Sequence, residues 1–119
     1  MERTAEMSRM PIVAVGAMLA LVACQKTPTE KQADALSESG RSRAESVRER
    51  AQTEADALDR RASSLDARAK AAGGYTGERL AVQAGAAADE ADIVRKQGRK
   101  QAEAVEEAAD AEAKTVRSR

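Results

Sequence analysis

The sequence predicts an all-α chain: an apolar N-terminal helix, then a long antiparallel αα-hairpin whose arms meet through an alanine-rich interface. Three observations predict it. Beyond residue 24, Ala, Glu, Lys, Leu and Arg supply most of the chain, which is the composition of long helices and coiled coils. Two stretches carry small or apolar residues at helical spacing. A glycine cluster separates them. Strand-like alternation appears in neither stretch. The 119 residues make one domain at most, with 20 Lys+Arg balanced by 20 Asp+Glu, one Cys, one Tyr, and no His, Trp or Phe. Without imidazole there is no His-based acid–base catalysis, and a single Cys excludes an internal disulfide and a Cys/His zinc site. Zero net charge gives no global attraction to nucleic acid or membrane.

Residues 1–23 read as a signal peptide. Arg3 and Arg9 lie in a short polar leader, and Pro11 to Val22 is an unbroken uncharged run. A membrane span needs about 20 apolar residues and a signal-peptide core about 7–15, so this run is of signal-peptide length. Glu2 and Glu6 cancel the two arginines; a start at Met7 would leave Arg9 alone and restore a basic leader.

The run ends in Leu21-Val22-Ala23-Cys24, which resembles the lipobox of bacterial lipoproteins. The resemblance implies a signal peptidase that recognises Leu21, Val22 and Ala23 and cuts before Cys24. It also implies a diacylglyceryl group on the Cys24 thiol and an acyl chain, palmitate or similar, on the freed amine. Gln25 stands where Asp would mark inner-membrane retention, so the resemblance favours the outer membrane, facing the periplasm. One acyl chain anchors marginally, at about 0.8 kcal/mol per buried methylene, whereas two or more hold stably. A lipid on Cys24 is the only non-protein group expected, and the membrane is the partner it implies.

Residues 24–29 form the lipidated N-terminus and helix cap. Thr27-Pro28-Thr29-Glu30 has the form of a capping box, with Thr27 as N-cap, Pro28 at N1 and Glu30 at N3. Residues 30–72 form the first amphipathic helix, with the stripe Leu36, Gly40, Ala44, Val47, Ala51, Ala55, continued by Leu58, Ala62, Leu65, Ala69 and Ala72. The Gly73-Gly74-Tyr75-Thr76-Gly77 segment is read as the turn, because each glycine costs a helix interior about 1 kcal/mol. Residues 78–117 form the second helix, with Leu80, Ala84, Ala87, Ala91, Val94 and Gly98, then Ala102, Val105, Ala109, Ala113 and Val116. Asp56–Arg60, Asp66–Lys70, Asp92–Lys96 and Asp110–Lys114 are acid-first pairs four residues apart, which stabilise isolated helices.

Near-equal arms around a short glycine-rich loop specify an antiparallel hairpin. Folding it at the glycines sets Leu65 against Ala84, Ala51 against Gly98 and Val47 against Ala102, so that large faces small. Leu36, Val47, Leu58, Ala69, Leu80 and Ala91 recur every 11 residues, a period that favours nearly straight packing over a left-handed supercoil. Alanine-rich, charge-balanced 11-mers also resemble the group 3 late-embryogenesis-abundant proteins, which implies a chain disordered in dilute solution and helical on membranes or when dried. Leu, Ile, Val and Phe supply only ten residues from Cys24 onward, so the hairpin is expected to be marginally stable alone, or oligomeric.

No constellation for catalysis appears. The carboxylates alternate with bases along solvated faces, and Glu106-Glu107 with Asp110 and Glu112 lacks the loop of an EF-hand, so no metal is expected. The densest basic cluster, Arg95, Lys96, Arg99 and Lys100, is the candidate contact for an anionic surface, and no aromatic residue interleaves it as a single-stranded nucleic-acid groove requires. The expected function is that of a membrane-anchored periplasmic lipoprotein with a structural or protein-interaction role in the cell envelope and no catalysis. Its partners would be the membrane, another envelope protein or a second copy, with no nucleic acid and no small-molecule substrate. The alternative is a hydrophilic stress-protectant lipoprotein without fixed structure until membrane-bound or dried.

Overall fold

Thr27 starts the first helix by closing both halves of a capping box. In the computed structural model, which describes residues 25–119, Thr27 is extended, with φ −62° and ψ 158°. Its Oγ1 accepts the Glu30 N–H at 3.2 Å, and Glu30 Oε2 accepts the Thr27 N–H at 2.8 Å. Two N–H groups that a helix start leaves unpaired are thereby satisfied, and Pro28 at N1 has none to satisfy. The helix that follows, α1, runs over Pro28–Ala72 and the second, α2, over Gly74–Arg117. At 1.5 Å per residue each arm is about 67 Å long. The chain is thus an all-α antiparallel hairpin. The expected N-terminal helix and the residues Leu21, Val22, Ala23 and Cys24 lie outside the described residues.

The turn is shorter than the five residues expected for 73–77. Gly73 alone separates the helices, at φ 61° and ψ −179°, and Gly74 follows at φ 53° as the first residue of α2. The Gly73 conformation is essentially restricted to glycine. Gly73 donates its N–H to the Ala69 carbonyl at 3.1 Å, and its own carbonyl accepts from Gly77 N–H at 2.9 Å, so the two helices share it as their common cap. Gly77 is buried inside α2, where a Cβ would stand 2.7 Å from the Ala69 carbonyl oxygen. The third glycine therefore serves close approach of the two arms rather than flexibility.

The seam is built from alanine and glycine. Ala33, Ala44, Ala55, Ala91, Ala102 and Ala113 are fully buried, and among the described residues no large side chain is. Every member of the two predicted stripes is buried or half-buried except Ala72, which is exposed beside the turn. The register is fixed at two points. A Cβ on Gly98 would lie 2.2 Å from Ala51 Cβ, and one on Gly40 would lie 2.2 Å from Ala109 Cβ. The first pair is the one predicted. The second lies eleven residues away along each arm, so the 11-residue repeat returns glycine to alanine at the same contact geometry. The arms sit too close for larger side chains between their axes. Leu36, Val47, Leu58, Val94 and Val105 are consequently half-buried, along the flanks of the seam.

Candidate functional site: two unlike faces of the hairpin

An antiparallel pair of helices has two broad faces, one on either side of the seam. On one of them charge is paired from arm to arm. Arg95 of α2 reaches Asp59 of α1, with Asp56 Oδ1 at 3.4 Å and Asp92 Oδ1 also at 3.4 Å. Arg48 Nη1 donates to Glu106 Oε1 at 3.0 Å, Ser37 Oγ to Asp110 Oδ1 at 2.9 Å, and Arg117 Nη2 to Asp34 Oδ1 at 2.9 Å. Lys26 completes a triad on Asp34. These contacts tie the arms along their length and fix which faces of the helices meet. Their energetic contribution is modest because the groups remain solvated.

The ionisation of these groups follows from their partners. Hydrogen bonds from Lys26 and then Arg117 hold the Asp34 carboxyl below its usual range. The hydrogen bond from the Arg48 guanidinium to Glu106 raises the Arg48 pKa, and that of Arg95 to Asp59 does the same for Arg95. Lys70 is raised by its hydrogen bond to Asp66 within α1. Asp66–Lys70, at 2.6 Å, is one of the four expected acid-first pairs. In the other three the acid takes another partner: Asp56 and Asp92 bind Arg95, and Asp110 accepts from Ser37. For Asp56 and Asp110 a partner on the other arm takes the place of the neighbour four residues on, whereas Asp92 pairs within α2 with Arg95, three residues on.

The basic cluster expected to contact an anionic surface is divided by this geometry. Arg95 is turned into the seam's flank, its side chain only 26% exposed and surrounded by three aspartates. Lys96, Arg99 and Lys100 are exposed, with Arg99 lining a shallow open groove beside Arg48 and Arg95. The acidic residues Glu106, Glu107, Asp110 and Glu112 do not converge, and among the described residues no group of three or more acids or thiols is placed to hold a metal ion. Nor, among them, is any helix long and apolar enough to cross a membrane.

The opposite face is different in kind. Its shallow grooves are lined by Val47, Val94, Gln97 and Gln101 at mid-length, and by Leu36, Thr115 and Val116 beside Glu112 and Arg119 near the open end. Arg50 and Glu54 border the first of these grooves. Near the tip Tyr75 is 75% exposed, with the Arg79 guanidinium 6.0 Å from its ring centroid, and Val82 and Ile93 are 73% and 52% exposed. The hairpin therefore carries a charge-paired face and a face where larger apolar side chains are exposed, with shallow grooves along both. No protein-family model matches this sequence, and comparison with curated proteins and with solved structures likewise finds no match.

Proposed function

We propose that this protein is a lipid-tethered helical hairpin of the cell envelope, facing the periplasm from the outer membrane, with a structural or protein-interaction role and no catalysis. The observation that carries the reading is the Leu21-Val22-Ala23-Cys24 sequence behind an uncharged run. The start of α1 supports it. Two residues separate Cys24 from the Thr27 cap, a reach of about 10 Å over three residue steps, so an acyl group on Cys24 would hold the open end of the hairpin at the headgroups. Rigid arms with grooves along their faces suit a spacer or a docking surface better than a reaction, for which a concave and desolvated pocket is needed.

The test is metabolic labelling with palmitate, together with the electrophoretic mobility of the precursor. The wild-type chain is expected to incorporate label and be shortened. Cys24→Ala is expected to remain unlabelled and full-length. Normal processing of the variant, or an unlabelled wild type, would end the tether reading.

The second reading, a hydrophilic stress protectant ordered only when dried or membrane-bound, is favoured by the seam itself. Its fully buried residues are alanines, so the apolar area that holds the arms together is small for the number of residues ordered. The two readings part on whether the free chain is helical in dilute solution.

A further inference from the structure

The face opposite the ion pairs carries a row of arginines. Arg43, Arg50, Arg61 and Arg68 are separated by seven, eleven and seven residues. Seven residues fall about 20° short of two helical turns and eleven pass three by about 20°, so the four side chains stay in one narrow row along α1. The row is about 38 Å long at 1.5 Å per residue. All four are exposed, and among the described residues none has an ion-pair partner within 4.0 Å. The contrast with Arg48, Arg95 and Arg117 is sharp, since each of those meets an acid of the other arm.

What surrounds the row gives its chemistry. Arg50 borders the groove lined by Val47 and Val94. By helical phase Arg79 of α2 is on the same side, and Tyr75, Val82 and Ile93, all more than half exposed, form its outer shoulder. Glu54, Glu90 and Glu112 are the acids on this side, against the five arginines. Cations interleaved with aliphatic side chains and an exposed tyrosine match an interface between water and lipid, where tyrosine rings sit at headgroup level and basic residues meet anionic headgroups. A purely polar polyanion would find the charges but leave the apolar shoulder in water.

We propose that this face, centred on Arg43, Arg50, Arg61 and Arg68 with Tyr75, Val82 and Ile93 on its shoulder, lies against an anionic lipid bilayer. The hairpin then rests along the membrane, with its ion-paired face turned outward. The proposal deepens the reading of a membrane-tethered chain, but the contact itself needs no acyl group. A tether would raise the effective concentration of a face that is weak by itself.

The single aromatic side chain supplies the probe. The full-length chain carrying Cys24→Ser, which cannot be acylated on sulfur, is mixed with vesicles of brominated phosphatidylglycerol or brominated phosphatidylcholine, and Tyr75 emission is followed. Tyr75 lies at the tip, about 67 Å along the arms from the leader, so insertion of residues 11–22 leaves it in water. Quenching is expected on phosphatidylglycerol and not on phosphatidylcholine, weakening as salt is raised. Replacing the four arginines by Gln is expected to lower the partition coefficient about fivefold per residue, several hundredfold together, and replacing them by Lys to preserve it. Arg41→Gln, on the ion-paired side, is expected to change it little. Equal quenching on both lipids, no loss in the four-Gln variant, or capture by peptidoglycan fragments in place of vesicles would each overturn the proposal. Palmitate labelling that succeeds while this test fails would leave a tethered hairpin standing away from the membrane.

Discussion

Gly98 and Ala51 touch so closely that the two arms have no room for one more methyl group between them. The added Cβ of Gly98→Ala would meet Ala51 Cβ at 2.2 Å, and Gly40→Ala would meet Ala109 Cβ at the same distance. Neither neighbour can rotate away, because a Cβ moves only with its backbone. Overpacking of this kind costs about 1–3 kcal/mol, against about 1 kcal/mol gained from replacing glycine in a helix. Gly85 is the control: it is exposed, mid-helix, and nothing lies within 4 Å of its Cβ position. Urea unfolding should therefore show Gly40→Ala and Gly98→Ala less stable than wild type and Gly85→Ala more stable, by about 1 kcal/mol. If all three raised stability alike, the helices would not be paired in this register. Asp34 gives a second residue-level test. Its carboxyl is held below the usual range by Lys26 and Arg117, so its contribution is complete above the ordinary carboxylate pKa and disappears as the pH falls through the lowered value. Amide protection, taken relative to the intrinsic exchange rate at each pH, is expected to fall in acid first at the open end of the hairpin, and Asp34→Asn should remove that pH dependence.

At the scale of the elements, the helices were legible and the turn was only partly so. Periodic small residues fix a stripe whatever its partner is, and the Thr27–Glu30 cap is a local pattern, so both could be read from neighbours in sequence. A glycine has several uses, and sequence alone does not tell them apart. Three glycines between 73 and 77 read as a loop, but Gly77 belongs to α2 and is there to let the arms approach. Charges posed the same problem. Arg95 looked like part of an exposed basic cluster, and its aspartate partners 36 and 39 residues earlier become visible only once the register is known. The Arg43–Arg68 row has a spacing that could have been read, yet in linear order it is mixed with the acids of the other face. The turn itself is testable. Gly73 and Gly74 have positive φ, where an L side chain costs about 1–2 kcal/mol per residue. Replacing both by Ala removes the reversal and favours a continuous helix, whose two stripes can be covered by antiparallel pairing with a second copy. Light scattering is expected to show a dimer for the double variant, and an unchanged oligomeric state would mean that the glycine conformations do not hold the turn.

The whole molecule is a thin object with unusually unequal surfaces. Two arms of 45 and 44 residues are joined through alanine and glycine, one face carries the ion pairs, and the other carries arginines and the exposed apolar side chains. The absence of a deep core makes the fold depend on register rather than on bulk, and it leaves most side chains available for contact. Tethering at Cys24 and the arginine face would act together on such a molecule, the first setting its distance from the membrane and the second its orientation. All of this requires that the free chain be a folded hairpin. The most direct measurement is far-UV circular dichroism of residues 25–119 without lipid, from dilute to concentrated solution. High helicity that does not change with concentration is the result this account requires. Little helix at any concentration, appearing only when the chain is dried or given a membrane, would contradict it and favour the protectant.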